Sequence, residues 1–312
     1  MTSRRSSATG VTVVIPHYGD PAPTRALARH LMETPGECLR GIVISDDCSP
    51  TPFTWADDGT AVPENVTVVH REVNGGFGAN VNSGLSAVET ELALILNSDV
   101  QISGADVDAL VAAAAPYQPA VASPQVLHED GTPQYSGRHF PTILHQGVEW
   151  LTPLARFRDR PLLHELVGHD MGAVSAEHPY PVDWVMGAVM LVPMAEVRAV
   201  GGVDESYFMN SEEVDLQLRL RQRAVPSLVI PSVSVTHEGG ASSDPLKRRA
   251  WLVNSRRRYA EKWGHPRLLA GTLRAATGVN FAVNAARQLA GRDVDARATA
   301  REELALIRGG VT

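Results

Sequence analysis

The chain has 312 residues, 44% apolar and 20% charged, the composition of a soluble globular protein with a sizeable core. Its formal net charge of −7 argues against a global pull towards nucleic acid or an anionic membrane. Two cysteines, Cys38 and Cys48, suggest no disulfide framework, and the N-terminal MTSRRSSATG has no signal-peptide core, so a cytoplasmic chain is expected.

Residues 1–10 are expected to be disordered. VTVVI (11–15) reads as a buried strand closed by Pro16. A helix is predicted over 24–33, with Leu27 and Leu31 one turn apart. GIVISDD (41–47) is a second apolar strand ending in carboxylates. VTVVH (66–70) is a third, running into NGGFGANVNSGLSAV, a Gly-rich turn entering a helix. LALIL (92–96) is a fourth and stops at Asn97-Ser98-Asp99. Strands alternating with helices predict a mostly parallel sheet flanked by helices, with ligands at the carboxyl ends of the strands. Pro16, Asp46, Asp47, Asn74 and Asp99 all fall at such ends. Irregular strands and turns follow over 120–141, and residues 150–182 read as a long loop. Residues 183–223 give a strand, a short helix, a turn and a helix. A strand ends at His237, and 266–312 form two helices, moderately apolar, for which a membrane interface, the main domain and a second copy of the chain are all candidate contacts.

A lone Asp after a strand is most often a turn residue or helix cap. Asp99 gains interest because Asp46 and Asp47 end a neighbouring strand. Clustered acids are tolerated where a divalent cation or hydrogen-bond donors neutralise them. The turn NGGFGAN lacks the GxGxxG spacing, because the third position falls on Val81. HELVGH (164–169) puts its histidines five apart and not four, so an HExxH zinc helix is rejected. Asn210-Ser211-Glu212-Glu213 has the spacing of a capping box with Glu213 at N3, which leaves Glu213 open as either a cap or a reactive carboxylate. Asp215 is placed to pair with Arg219 at i+4. Residues 242–268 carry eight Lys or Arg against Asp244 and Glu261, a local balance of +6, suited to a solvated helix face or an anion site.

Taken together, VTVVIPHYGD, ISDDCSP, NGGFGANVNSGL, LNSDVQIS and MGAVMLV with VGGVDESYFMNSEEVDLQLRLR resemble the motifs of the family 2 inverting glycosyltransferases, over about residues 11–260. QYSGRHFP is similar to a segment of the rhamnosyltransferase-like branch that builds cell-wall and surface polysaccharide. The resemblance implies a GT-A fold over 11–265, with a nucleotide-sugar half (11–103), an acceptor half (104–265) and a C-terminal helical extension (266–312). It implies Asp46 as the nucleobase or ribose contact. Pro16, Tyr18, Gly76, Phe77 and Asn82 are implied as walls of the nucleoside pocket, with Asn97 and Ser98 also on the donor side. Asp99, the last acid of a DxD variant, and His237 are the implied ligands of Mg²⁺ or Mn²⁺. Asn97 stands where the motif has its first Asp, so one ionic ligand is missing. Glu213 falls at the catalytic-base position, a Glu where Asp is usual. Arg138, Gly187, Ala188, Glu212, Asp215, Lys247 and Arg256 are implied on the acceptor or diphosphate side. The implied partners are a nucleoside-diphosphate sugar and a glycan or polyprenyl-diphosphate-linked acceptor, with no nucleic acid. A homodimer through the C-terminal helices stays open as one use of residues 266–312, and the expected location is the cytoplasm, with peripheral contact at the inner face of the cell membrane as an option. A sugar-phosphate nucleotidyltransferase and a silent nucleotide-sugar-binding module are the alternatives.

Overall fold

The computed structural model describes residues 10–57, 59–157, 160–239 and 245–309. The disorder expected for residues 1–9, and Asp244 of the basic window, lie outside them. The elements begin β1 (Val11–His17), α1 (Pro21–Glu33), β2 (Leu39–Asp46), β3 (Val66–His70), α2 (Phe77–Ser86) and β4 (Leu92–Leu96). They continue with β5 (Val100–Gln101), α3 (Gly104–Ala114), β6 (Val121–Leu127), β7 (Gly137–Arg138), α4 (Ile143–Trp150), α5 (Pro161–Leu166) and α6 (Met171–Ser175). Next come β8 (Tyr180–Val182), β9 (Trp184–Val185), β10 (Val189–Pro193), α7 (Met194–Ala199), α8 (Glu212–Arg221) and β11 (Ser227–His237). Three helices close the chain: α9 (Pro245–Trp263), α10 (Pro266–Leu289) and α11 (Ala296–Arg308).

The chain divides into two compact units. One comprises Met1–Arg138, Gly172–Phe208 and Glu212–Gly239; the other comprises His139–Met171, Met209–Ser211 and Gly240–Thr312. The first is built on a sheet ordered β3-β2-β1-β4-β10-β6-β11-β5, with β8 also paired to β11. β1, β2, β3 and β4 run parallel, β10 enters antiparallel between β4 and β6, and β6 and β11 are parallel again.

The two-residue period of the strands separates two apolar layers. Val11, Val13 and Ile15 of β1, with Leu92, Leu94 and Leu96 of β4, face Leu27 and Leu31 of α1 and Val107, Leu110 and Val111 of α3. Val14, Ala93 and Ile95 point the other way, towards Val81 and Leu85 of α2, Val197 of α7 and Leu216 and Leu220 of α8. Each fully buried Val, Leu or Ile contributes about 1.5–3 kcal/mol, so both faces are firmly held. That rigidity fixes where the strand ends deliver their polar residues.

Two expectations need correction. α1 begins at Pro21, with Asp20 capping Ala22 N, and not at Thr24; proline is well suited to a first helical turn, where its missing N–H is not needed. Residues 150–182 are not one long loop, since they hold α5, α6, β8 and a 3-10 turn at Thr152–Phe157. Their helices have five and six residues, too short for a helical period to show in sequence.

The second unit is helical. Trp150, Val253, Leu269, Leu273, Leu306 and Ile307 form its core. Trp150 Nε1 donates to Thr277 Oγ1 at 2.9 Å, and the buried Glu303 carboxylate accepts from Asn280 and from Arg249. α10 buries Leu269, Leu273, Ala276, Thr277, Asn280 and Asn284 at helical spacing, so its apolar stripe is used within this unit.

Candidate active site

The site grows from the register of two strand pairs. β5 pairs antiparallel with β11 so that Val100 faces His237. Asp99, one residue earlier, therefore meets the imidazole, and its Oδ1 lies 3.2 Å from His237 Nε2. Its other oxygen accepts from Gly239 N at 3.1 Å. Burial is the largest influence on the Asp99 carboxyl and opposes ionisation, but the hydrogen bond and charge of a His237 ring protonated at both nitrogens, with the Gly239 N–H, outweigh it and hold it below the usual carboxylate value.

His237 is oriented from behind. Its Nδ1 is 2.7 Å from Gln134 Oε1, while the Gln134 amide nitrogen donates to the Leu127 and His237 carbonyls. The amide oxygen thus faces the ring, the proton sits on Nδ1, and in the neutral ring the Nε2 lone pair points towards Asp99 and the Asn97 amide, 3.4 Å away. A carboxylate oxygen and an imidazole lone pair 3.2 Å apart repel unless a proton or cation lies between them. This donor set fits a divalent cation.

The neighbouring strand end carries the rest. Asn97 N donates to Ala188 O at 2.9 Å, which joins the end of β4 to the residues before β10. A Cβ on Gly187 would meet Glu213 Cβ and Cγ at 3.7 and 3.8 Å and Phe77 Cε1 at 3.8 Å. Neighbouring residues thus lead from His237 and Asp99 through Asn97, Ala188 and Gly187 to the vicinity of Glu213 and Phe77. The helix bearing Glu213 is pinned by Gln217, which is fully buried. Gln217 accepts from Val185 N and donates to Val185 O and Glu213 O.

Of the two readings left open for Glu213, the capping box does not fit the backbone. α8 starts at Glu212, which puts Glu213 at N2, and Asn210 and Ser211 have φ of 71° and 67°, far from the extended backbone of a cap. Two consecutive left-handed non-glycine residues store strain, a device that clusters at functional sites.

The Gly-rich turn is clamped by the second-strand acids. Asp47 accepts from Gly75 N at 3.0 Å, Gly76 N at 2.8 Å and Arg71 Nε at 2.8 Å. Gly76 has φ 84°, and a Cβ there would lie 1.9 Å from Phe208 O, so no other residue fits. Pro16 is half-buried in β1, Tyr18 is exposed, and Ser98 is half-buried beside Asp99.

Burial and hydrogen bonding locate the other implied residues. Asp46 is 1% exposed and spends its oxygens on Ser49 N and Oγ, Phe53 N and His70 Nδ1, so it shapes a wall and does not project from it. Burial works against its ionisation most strongly, yet these hydrogen bonds, that of Ser49 foremost, lower its pKa. Both ends of the Asn82 amide are engaged with Val203, and Nδ2 also with Glu205. Asp215 is fully buried against Arg219 at 2.8 Å, the i+4 pairing that the spacing permits. Glu212 is buried, with its Cβ and Cγ close to Gly78. Arg256 is buried in the second unit on Glu149, whereas Lys247 is exposed on α9. Arg138 lies over the Trp184 ring at 5.4 Å and donates to Tyr135 O. Gln134 and Gln217 lie inside the segments QYSGRHFP and VGGVDESYFMNSEEVDLQLRLR, but neither stands out there, because their partners are distant in sequence.

A second cluster lies in the other unit. His139, Glu165 and Asp170 bring one ligand atom each to within 4.8 Å of one another. α5 stops at Leu166, so HELVGH is indeed no HExxH helix, yet a turn still brings His164 Nδ1 and His169 Nδ1 to 3.0 Å.

Comparison with known proteins sets this geometry in context. An L-rhamnosyltransferase of Mycobacterium tuberculosis, named for N-acetylglucosaminyl-diphospho-decaprenol, is 28% identical over 211 residues, 60% of this chain and 64% of the relative. Rhamnosyltransferase WbbL of Escherichia coli K12 is 34% identical over 80 residues, 25% of this chain and 30% of the relative. The chain thus spans under two thirds of the length of these curated relatives. Among solved structures, GalNAc-T7 with UDP, GalNAc and Mn²⁺ superposes with a TM-score of 0.57 at 16% identity, over 83% of this chain and 48% of that one. A mannosyltransferase of Pyrobaculum calidifontis with GDP-Man and Mn²⁺ gives 0.56 at 15% identity, over 96% and 85%. These neighbours share the GT-A fold that the sequence motifs implied. The family profile described as "Glycosyl transferase family 2" matches residues 12–176, more than half of the chain and the whole run from β1 through the Gly-rich turn and Asp99, and the chain belongs to that family.

Proposed function

We propose that the chain transfers a sugar from a nucleoside diphosphate, with inversion, to a hydroxyl of a glycan or polyprenyl-diphosphate-linked glycan in cell-wall or surface polysaccharide synthesis. L-Rhamnose is the sugar to which the relatives' names point. The observation that carries this is the run of neighbouring residues that leads from the Asp99–His237 pair through Asn97, Ala188 and Gly187 to the vicinity of Glu213.

In this scheme residues 11–103 take the nucleotide-sugar and residues 104–265 present the acceptor. Tyr18, Phe77 and the turn clamped by Asp47 wall the nucleoside, and Asp46 supports that wall from inside. Asp99 and His237 would hold Mg²⁺ or Mn²⁺, which when bound offsets the charge on the departing diphosphate. Glu213 takes the proton of the acceptor hydroxyl. The oxygen then bonds to the anomeric carbon as the carbon–oxygen bond to the diphosphate breaks on the opposite face and its electron pair leaves with the phosphate. One carboxylate base suffices, because no covalent intermediate forms. An acceptor carried on a polyprenyl chain places the work at the inner face of the cell membrane. Among the described residues no helix is long and apolar enough to cross it.

The test is nucleoside diphosphate release from a panel of nucleotide-sugars with Mg²⁺ or Mn²⁺. Glu213→Gln should lose roughly 10²–10⁴-fold in rate, the usual worth of a general base. Turnover at the parental rate would remove Glu213 from the mechanism. Pyrophosphate as product would indicate nucleotidyl transfer instead, and donor binding without release would indicate a silent module.

A further inference from the structure

We propose that His139, Glu165 and Asp170 form a zinc site in the second unit, separate from the Asp99–His237 pair. His139 opens the segment 139–171, and Glu165 and Asp170 lie near its end. His139 is held beside the turn after α5 by its N–H bond to Gly168 O at 2.9 Å. Glu165 lies in the last turn of α5, where its Oε1 accepts from Met171 N at 2.9 Å and its Oε2 is turned to His139 Nε2 at 3.1 Å. Asp170 directly precedes α6 and is 7% exposed. The backbone donor on Glu165 is the kind of outer support that orients a metal ligand.

Two further observations favour an ion. A buried Asp carboxylate close to a half-buried Glu carboxylate is a repulsive pair, and a shared cation relieves it. Burial contributes little to holding the segment. Among the described residues of 151–170, only Gly168 and Asp170 are buried, and α5 buries no side chain. A six-residue helix is far too short to persist on its own propensity, and a metal that binds only the folded arrangement stabilises it directly. One imidazole and two carboxylates with a water in fourth place suit zinc, which binds such sets more tightly than manganese or iron. Bonds of about 2.1 Å imply ligand separations of roughly 3.4 Å, and the three atoms already lie within 4.8 Å of one another, with His139 Nε2 and Glu165 Oε2 at 3.1 Å.

The experiment uses the full chain carrying Asp99→Asn and His237→Ala, so that the first pair cannot contribute. After chelator treatment it is titrated with Zn²⁺ by calorimetry, metal content is measured, and hydrogen exchange is followed in peptides covering 160–171. One zinc per chain is expected, with slower exchange in those peptides and at least 100-fold weaker binding in His139→Ala and Asp170→Asn. X-ray absorption at the zinc edge, on the chain with the cluster unaltered, should show a single imidazole with oxygen neighbours, a result that does not depend on the variants folding. Absence of stoichiometric zinc, equal affinity in both variants, or a two-imidazole shell lost on substituting His164 and His169 would each overturn the proposal.

Discussion

The Gln134 amide oxygen stands 2.7 Å from His237 Nδ1, while the same amide's nitrogen is committed to backbone carbonyls. The amide therefore cannot turn over without losing bonds on both sides, and the imidazole is presented with Nε2 towards Asp99. Gln134→Leu should weaken Mn²⁺ binding about 10–100-fold, the usual cost of losing a ligand's outer partner. Electron paramagnetic resonance of free Mn²⁺ reads this without any turnover. Unchanged affinity would mean that His237 is held some other way.

Gln217 brackets Val185, accepting from its N–H and donating to its carbonyl, both at 2.8 Å. It also accepts from Ser227 Oγ. Replacement by Leu leaves buried backbone groups unsatisfied, at about 1–3 kcal/mol each. Gln217→Leu should lower unfolding free energy by about 2–5 kcal/mol in urea titrations. It should also reduce turnover of the folded fraction, because the turn of α8 bearing Glu213 loses its anchor.

Gly76 and Gly187 separate backbone demand from mere proximity. At Gly76 a methyl group would collide with Phe208 O, in a backbone region hostile to L residues, and would break the bond from Phe77 N to that oxygen. Gly76→Ala should cost about 2–4 kcal/mol. At Gly187 the nearest atoms are 3.7 Å away or farther, so Gly187→Ala should fold within about 1 kcal/mol of the parent. Comparative thermal melts of the two variants check both.

His17 supplies a pH dependence. Its ring is buried, packed edge-on to Phe53 and bonded to Thr24 through Nδ1. Desolvation lowers its pKa, against the smaller pull of Asp46 and Asp20 and with a further push from Arg25. The unfolded imidazole takes a proton as pH falls through its ordinary value of 6.5, and the folded one does so only at lower pH. The unfolded state then binds more protons, so stability falls across the window below 6.5 down to the folded value. His17→Asn keeps a polar atom near Thr24 and should flatten that slope in urea midpoints measured from pH 5 to 8. An identical slope in the variant would assign the effect elsewhere.

Much of the first unit is legible along the chain because its strands are continuous apolar runs and because its turns carry glycine or acid at positions that backbone geometry demands. VTVVI, GIVISDD, VTVVH and LALIL read directly as β1 to β4, and the motif order names the family. The i+4 ion pair of Asp215 with Arg219 follows from spacing alone. Which acids face outward is not written there. Asp46 and Asp99 both end apolar strands, yet one is buried under four hydrogen bonds and the other meets a histidine 138 positions later. That difference arises from the β5–β11 register and from the turn after β2, which are set by packing of the whole sheet. Gln134, Gln217 and the His139–Glu165–Asp170 cluster depend on the same long-range closure. Local periodicity and turn chemistry determine which segments become strands and helices. Only burial against distant segments decides whether a polar side chain becomes a strut or remains free to do chemistry, because desolvation and hydrogen bonding are properties of the assembled neighbourhood.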